Sequence, residues 1–189
     1  MNNSDRDHDP FNGAPSFPLG HRLLRVAFKL TWTTFASWTP APMHRWRIML
    51  LNFFGAKVTS DCFVYGSVRV WYPPNLCMKG RATLGPGVDC YTMAPIIVEA
   101  YAVVSQGASL CTGTHDIHHA SFQIYAKPIR ICAHSWICAG AFVGPGVTVG
   151  EGAVLAAHAV TFKDLQSWTI YHGNPAAIKG ARKGFIRQS

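Results

Sequence analysis

The sequence predicts an all-β fold, a parallel solenoid of six-residue repeats preceded by a helical extension. From Ile131 an aliphatic residue recurs at every sixth position, and a second, mostly small residue stands four positions after each. A helix would space its apolar residues by three and four, and a half-buried strand by two. A fixed step of six indicates short coiled strands that stack and bury these positions. The aliphatic positions are Ile131, Ile137, Val143, Val149 and Leu155, and the second set is Ser135, Ala141, Val147, Ala153 and Ala159.

The same step extends upstream with two interruptions. Residues 72–75 and 93–95 contain prolines, which cannot donate to a strand ladder and belong at corners or bulges. Gly85, Gly144 and Gly150 each follow an aliphatic residue directly, which predicts a tight corner at each of them. A β-sandwich, the alternative, would have less regular turn spacing. The upstream repeat positions are Val58, Val64, Val70, Leu84, Cys90, Val98, Val104 and Leu110.

Composition indicates one globular domain with a modest extension, since 189 residues with 49% hydrophobic content can bury a core. Seventeen basic against nine acidic residues give a net charge of +8, and no acid follows Asp164. A basic tail can meet phosphates or an acidic surface, but the chain has no nucleic-acid recognition module, so we expect no nucleic-acid partner. Six cysteines without a CxxC pair, and a polar start without a signal peptide, favour the reducing cytoplasm. We expect Cys90 in the core, where free cysteine packs like a small hydrophobe.

The N-terminal region differs in kind from the repeats. Residues 1–18 predict a flexible tail, and residues 19–55 a helical extension made of two amphipathic segments, 19–38 and 43–54. Such helices can cap the open first coil, which solenoids need for solubility. Arginines and lysines beside tryptophans also suit a helix that lies in an anionic membrane interface, and both interpretations remain open here. These cations are Arg22, Arg25, Lys29, Arg45 and Arg47.

Six segments of the chain carry a resemblance to a known family. They are RLLRVAFKLTW at 22–32, MHRWRIMLLNFFGAKV at 43–58, QGASLCTGTHD at 106–116, VGPGVTVG at 143–150, KD at 163–164 and GNPA at 173–176. Together they resemble the hexapeptide-repeat acyltransferases, and within them the colanic acid and exopolysaccharide acetyltransferases, relatives of the galactoside and maltose acetyltransferases. The resemblance implies a left-handed parallel β-helix over 56–172 with a projecting loop at 115–129, followed by a basic tail at 173–189. It also implies a homotrimer with active sites in clefts between protomers, where coenzyme A lies along the coils.

His115 stands where the family has its general base, so the resemblance implies that role. The imidazole suits it, since an unperturbed pKa near 6.5 lets it take a hydroxyl proton at neutral pH. His115 also begins the one long break in the later repeat, between Leu110 and Ile131, where a loop could cover the acceptor. Asp116 either orients this loop or touches the acceptor, or it is a turn residue that bonds its own backbone.

The resemblance also supplies the remaining candidate residues. Relatives among the galactoside enzymes grip the sugar with an asparagine where Gly85 stands here, which leaves the acceptor open. The family's basic residue after GNPA is Ala177 in this chain. Acceptor-binding candidates are Asp116, Asp89, Tyr91, Thr92 and Trp136. Coenzyme-binding candidates are Ala139, Gly140, Ala157, Lys163, Lys179 and Arg182.

The predicted function is acetyl transfer from acetyl-CoA to a sugar hydroxyl in polysaccharide biosynthesis, by direct attack and without a metal. N-acylation of an amino sugar is one alternative. A γ-carbonic-anhydrase-like zinc enzyme is another, with His115, His119 and His134 available, although no histidine lies between His44 and His115. A non-catalytic, membrane-associated scaffold is the third. The expected location is the cytoplasm, with membrane contact at its inner face through 19–54 as an open possibility.

Overall fold

The computed structural model describes residues 17–119 and 122–183. Most of the predicted N-terminal tail, residues 120 and 121 of the predicted loop, and the last six residues of the predicted basic tail lie outside the described residues.

Two helices precede a parallel β-solenoid of about six turns, as the repeat predicted, and the architecture is that of a left-handed β-helix. The helices are α1 (Leu19–Phe35) and α2 (His44–Phe53). Face A consists of β1 (Lys57–Val58), β4 (Leu76–Met78), β7 (Ile96–Val98), β12 (Ile129–Ile131) and β15 (Thr148–Val149). Face B consists of β2 (Phe63–Val64), β5 (Thr83–Leu84), β8 (Val103–Val104), β13 (Trp136–Ile137), β16 (Val154–Leu155), β18 (Thr169–His172) and β19 (Ala177–Ala181). Face C consists of β3 (Arg69–Val70), β6 (Asp89–Tyr91), β9 (Ser109–Cys111), β14 (Phe142–Val143) and β17 (Val160–Thr161). The hairpin formed by β10 (Gly113–His115) and β11 (Ile124–Ala126) stands outside these faces.

The repeat positions form the core, as predicted. Residues of successive coils stack in register, as Val64 does on Leu84 and Ile137 on Leu155. Both predicted sets are buried along the whole solenoid, and Cys90 is fully buried among them. Burial raises the pKa of the Cys90 thiol, so this sulfur is a packing group.

Gly85, Gly144 and Gly150 stand at the predicted corners, each directly after a strand and before a turn, but none has the positive φ of a left-handed turn. What requires glycine there is the close approach of the next coil. A Cβ on Gly150 would lie 2.6 Å from the Ser167 backbone nitrogen, and one on Gly85 would lie 3.0 Å from the Gln106 nitrogen.

The positive-φ corner between faces A and B is mostly made by residues other than glycine, which the sequence did not reveal. Tyr101 and His134 occupy equivalent corners of successive coils with φ of 59° and 60°, and their rings stack at 5.3 Å. Trp168 repeats this position one coil beyond Gly152, and its ring lies where a Cβ of Gly152 would be. Ring stacking between coils therefore accompanies a backbone conformation that L-residues rarely adopt.

The two helices cover the open edge of the first coil. An unpaired strand edge exposes backbone groups, and here side chains of the helices satisfy them. The Asn52 amide pairs with both the N–H and the C=O of Val58, at 2.9 and 2.8 Å. Trp32 Nε1 donates to the Gly66 carbonyl at 3.0 Å, and His44 Nδ1 lies 2.8 Å from the Val64 carbonyl. This geometry supports the capping interpretation of the extension.

Arg47 is fully buried, so the interpretation that placed it in a membrane interface is wrong for this residue. Its guanidinium joins the segment between the helices to the first coil. No helix among the described residues is long and apolar enough to cross a lipid bilayer. The Arg47 bonds run from Nε to Thr39 Oγ1 (3.0 Å), from Nη1 to the carbonyls of Ala41 (3.2 Å) and Val64 (3.0 Å), and from Nη2 to the carbonyls of Thr39 and Pro40 (2.6 Å each).

The segment predicted as a basic tail contains an ordered strand. β19 pairs antiparallel with β18 and turns the chain back on the last coil of face B. Arg182, just past β19, donates from Nη1 to the carbonyls of His134 and Gly152 at 2.8 and 3.0 Å. The end of the described chain is therefore tied to the edge between faces A and B.

Candidate active site

His115 lies on the β10–β11 hairpin, which the chain forms between β9 on face C and β12 on face A. The loop predicted at 115–129 is thus an antiparallel hairpin that begins two residues earlier, with His115 paired to Ile124. Buried Thr112 anchors its base, because the hydroxyl donates to the Tyr91 carbonyl at 2.6 Å and accepts from the Ala94 N–H at 2.9 Å. The hairpin is therefore fixed to the coil below.

The hairpin holds the His115 imidazole in one orientation. Its Nδ1 lies 2.8 Å from the Phe122 carbonyl oxygen, and the two rings stack with centroids 4.3 Å apart and an angle of 10°. A carbonyl can only accept, so this bond requires the proton on Nδ1. Nε2 then carries the lone pair, which is the state a general base needs before it takes a proton.

Asp116 occupies the turn of the hairpin. Its carboxylate accepts the His118 N–H at 3.0 Å, and its own N–H donates to the Gln123 carbonyl at 2.8 Å. This is the turn arrangement named as the alternative for Asp116, in which the side chain bonds its own backbone two residues on.

Tyr91 and Asp89 lie on face C next to the base of the hairpin. A Cβ on Gly113 would come within 2.9 Å of the Tyr91 ring, so the hairpin crosses directly over that ring. Burial, with the neighbouring Cys111 thiol, raises the pKa of the Tyr91 phenol, which therefore stays protonated. Asp89 forms an ion pair with Arg69 at 3.0 Å on the same face.

Thr92 and Trp136 are not brought to this place within one protomer. Thr92 is fully buried, and its hydroxyl accepts from the Tyr72 N–H and donates to the Tyr72 carbonyl, at 2.8 and 2.9 Å. Its burial is incompatible with acceptor contact, and its role is to join two coils. Trp136 is 44% exposed on face B, where its Nε1 donates to Ser105 Oγ at 2.8 Å.

The coenzyme candidates divide between two edges. Ala139, Gly140 and Ala157 lie at the edge between faces B and C, and Lys163 follows β17 at the edge between faces C and A. The His158 N–H donates to the Ala139 carbonyl at 2.9 Å, and the His158 ring lies where a Cβ of Gly140 would be. Glycine at 140 therefore makes room for an imidazole of the next coil, a packing role that sequence reasoning missed.

Lys179 and Arg182 come after the last coil. Lys179 is exposed on β19, and the Arg182 guanidinium binds the carbonyls described above at the edge between faces A and B. The structure therefore does not bring Arg182 to Ala139 and Ala157 within one protomer.

Sequence reasoning also missed two residues that build the site. Thr112 positions the hairpin, and Phe122 positions the imidazole. In the sequence, only their nearness to His115, at three and seven residues, could have indicated these roles. Among residues 17–119 and 122–183, no group of three or more histidine, cysteine, aspartate or glutamate side chains is placed to hold a metal ion.

Comparison with known proteins places the chain among acetyltransferases. No family model matches it. Over 156 residues, 81% of this chain and 86% of the relative, it is 38% identical to WcaF of Escherichia coli (strain K12), a protein assigned as a colanic acid biosynthesis acetyltransferase. The same figures hold for WcaF of Shigella flexneri. The chain belongs to the WcaF family of hexapeptide-repeat acetyltransferases.

Solved structures share the fold of this WcaF-family chain. A maltose O-acetyltransferase from Clostridium difficile 630 superposes with a TM-score of 0.78 at 21% identity, covering 88% of this chain and 90% of the other. A galactoside acetyltransferase in complex with coenzyme A gives 0.79 at 19% identity, covering 92% and 90%. A hexapeptide-repeat acetyltransferase from Vibrio cholerae, in complex with acetyl coenzyme A, gives 0.76 at 21% identity, covering 91% and 92%.

Proposed function

We propose that this WcaF-family protein transfers the acetyl group of acetyl-CoA to a sugar hydroxyl during polysaccharide biosynthesis, with His115 as the general base. Family membership supports the reaction class, and solved proteins of the same fold hold coenzyme A or acetyl-CoA. The observation that carries the assignment of the base is the bond between Nδ1 and the Phe122 carbonyl, which leaves Nε2 as the acceptor.

The reaction needs one proton acceptor that later becomes a donor. As the sugar oxygen attacks the thioester carbonyl carbon, Nε2 takes the hydroxyl proton and the carbonyl oxygen gains negative charge. The C–S bond then breaks, and the imidazolium returns the proton to the leaving thiolate. The Phe122 carbonyl stabilises the imidazolium, because the bond from Nδ1 strengthens when the ring is charged.

The coenzyme runs along the edge between faces B and C in this proposal. Ala139, Gly140 and Ala157 have small side chains, so pantetheine can approach the backbone there, and Lys163 meets a phosphate across face C. The Arg182 guanidinium binds backbone carbonyls and is therefore left out of the phosphate contacts, whereas Lys179, which is exposed on β19, remains a phosphate candidate.

A homotrimer would complete the site. The outward residues of face B are apolar or uncharged along β2 to β16, whereas faces A and C carry Arg130 and the Arg69–Asp89 pair. Phe63, Val103 and Trp136 are exposed on face B, and exposed apolar side chains in a column favour contact between copies. Trp136 belongs to this column, so contact of face B with a neighbour's hairpin would place this tryptophan near the neighbour's His115. The column is Phe63, Thr83, Val103, Trp136 and Val154.

We also propose that α1 rests on the inner face of the cytoplasmic membrane. Leu19, Leu23 and Leu30 lie on one side of this helix and are 66%, 59% and 64% exposed. No acidic residue occurs between Asp9 and Asp61. An apolar stripe in an acid-free, basic region suits an anionic lipid interface. Sedimentation with phosphatidylglycerol vesicles should be lost in Leu23→Glu, whereas equal sedimentation with neutral vesicles would contradict this placement.

The test of the reaction is thiol release from acetyl-CoA in the presence of candidate glycans. His115→Gln should lower kcat by at least about a hundredfold, as expected for loss of a general base. His118→Ala is the matched control, because it removes an exposed imidazole three residues away on the same hairpin. Full turnover by His115→Gln would contradict the proposed base. Alkali-labile acetate in the product identifies an ester, and alkali-stable acetate would instead identify the amide of an N-acyltransferase.

A further inference from the structure

A groove lies between α1 and face C, on the side of the hairpin that faces the first coils. Its volume is about 810 Å³, within the range of about 300–1,000 Å³ that small-molecule sites occupy. Side chains of α1 form one wall and those of β3 and β6 form the other. We call it the α1 groove, and the side chains that matter are Arg22, Arg25, Lys29, Arg69, Trp71 and Tyr91.

The charged side chains that line the α1 groove are mainly cationic. Arg22, Arg25 and Lys29 face it from successive turns of α1, and Arg69 faces it from β3. The acidic side chain that lines it is Asp89, which is paired with Arg69 at 3.0 Å. Among residues 17–119 and 122–183, no other carboxylate lines the groove to neutralise the three cations of α1, which favours an anionic occupant.

Two features suit a carbohydrate. Trp71 and Tyr91 add apolar ring atoms to the groove lining, with ring centroids 5.2 Å apart, and the C–H groups of a sugar can pack against such atoms. The Arg25 guanidinium stacks 3.9 Å above the Trp71 ring centroid. Stacking uses the face of the guanidinium and leaves its N–H groups, which lie in the plane, to bind a carboxylate or phosphate in forked geometry.

The α1 groove leads to the proposed base. Tyr91 lines the groove, and a Cβ on Gly113 would lie 2.9 Å from its ring. His115 is two residues further along β10, where side chains alternate and residues 113 and 115 share a side of the strand. A glycan bound in the groove can therefore extend toward the hairpin.

From this arrangement we infer that the α1 groove recognises an anionic group of the acceptor glycan, so that the acceptor carries a carboxylate or a phosphate one or more sugar units from the acetylated hydroxyl. This inference rests on the proposed function for the meaning of "acceptor", but the binding itself is independent of catalysis. The two sources of charge are a uronic acid residue and a sugar diphosphate.

Calorimetry on the full-length protein distinguishes these sources. The probes are a uronic-acid-containing tetrasaccharide, the same tetrasaccharide with its carboxyls reduced to alcohols, a nucleotide-diphosphate hexose and the free hexose. Tighter binding of the uronate than of its reduced form assigns the carboxylate. Tighter binding of the diphosphate sugar than of the hexose assigns the phosphate. Equal affinity within both pairs overturns the inference.

A matched set of charge variants locates the effect. The groove variant combines Arg22→Gln, Arg25→Gln and Lys29→Gln. The control variant combines Arg45→Gln, Lys57→Gln and Lys79→Gln, which lowers the net charge equally at exposed positions outside the groove. We expect the groove variant to lose about tenfold or more in affinity for the charged probe, as for one lost charge-assisted hydrogen bond, with no change for the neutral probe. Equal losses in both variants would show that bulk charge is the cause and would refute a specific site.

Turnover separates this inference from the proposed function. In the groove variant, KM for an anionic acceptor should rise at least about tenfold with kcat within about twofold, and KM for acetyl-CoA should not change. Unchanged acceptor KM together with normal acetylation would refute the groove while the enzyme assignment stands. Groove-dependent binding without any acetylation would refute the enzyme assignment and keep the groove.

Discussion

Replacement of Arg47 by methionine tests whether the helical extension is a structural cap. Arg47 is fully buried and donates five hydrogen bonds to the segment between the helices and to the first coil. The carbonyls of Pro40 and Val64 each keep a second donor, and Ala41 is exposed to water, so the carbonyl of buried Thr39 is the one left unsatisfied. An unsatisfied buried acceptor costs about 1–3 kcal/mol. Relief from burying the guanidinium offsets part of this and leaves about 1–2 kcal/mol.

Differential scanning calorimetry at matched protomer concentration measures the effect. For a chain of this size, each kcal/mol shifts Tm by about 2–4 °C, so Arg47→Met should melt about 2–8 °C below the wild type. Arg45→Met is the control, because Arg45 is exposed on the same helix and its loss should cost less than about 0.5 kcal/mol. Equal melting of the two variants would show that the carbonyls around Arg47 are satisfied by water, and the capping account would be wrong.

Three further predictions follow from the structure. Burial, together with Arg25, lowers the pKa of His21 below its ordinary value. The stability that neutral His21 contributes is therefore present above about pH 6.5 and is lost as the pH falls toward the pKa of the folded state. The fall in Tm between pH 7 and 5 should be smaller in His21→Phe than in the wild type. Gly150→Ala should lower Tm more than Gly144→Ala, because the added Cβ meets backbone at 2.6 Å in the first case and a movable phenylalanine ring in the second. The reverse order would show that the close approach of the next coil is not what requires glycine at position 150. Thr112→Val should lower the free energy of unfolding in urea by about 1–3 kcal/mol and should lower kcat, because it removes both hydroxyl hydrogen bonds at the base of the hairpin. An unchanged kcat would show that Thr112 does not position His115.

The interior of the fold was predictable because burial repeats at a fixed step. The burial of residues such as Val64, Leu84 and Val104 can be predicted from the sequence alone, because each coil must bury an aliphatic residue against the next coil. The corners were less predictable. Tyr101 and His134 adopt positive φ while their rings stack between coils, and this compensation depends on which residues become neighbours one coil apart.

The sequence could single out His115 as the candidate base, but it could not predict the surroundings of this residue. His115 was identified through the motif that contains it, whereas the partner of its Nδ1 lies across a hairpin that no repeat specifies. For Thr92, in contrast, the position in the sequence was misleading. It was a candidate for acceptor contact because it lies near Gly85 in sequence, but its side chain is buried in the coil, where both of its hydrogen bonds go to Tyr72.

The interruptions of the repeat mark the edge of the solenoid that carries the candidate site. Steps from face A to face B and from face B to face C keep six residues in every coil, whereas eight separate Val70 from Met78 and twenty-one separate Leu110 from Ile131. Every added residue therefore falls at the edge between faces C and A, where the hairpin with His115 stands. Strands on either side of this edge stay in register, so extra chain can leave and rejoin the coil there without disturbing the core. Irregularity in an otherwise fixed period is thus the sequence signal that points to the site, and it does so independently of any resemblance to known enzymes.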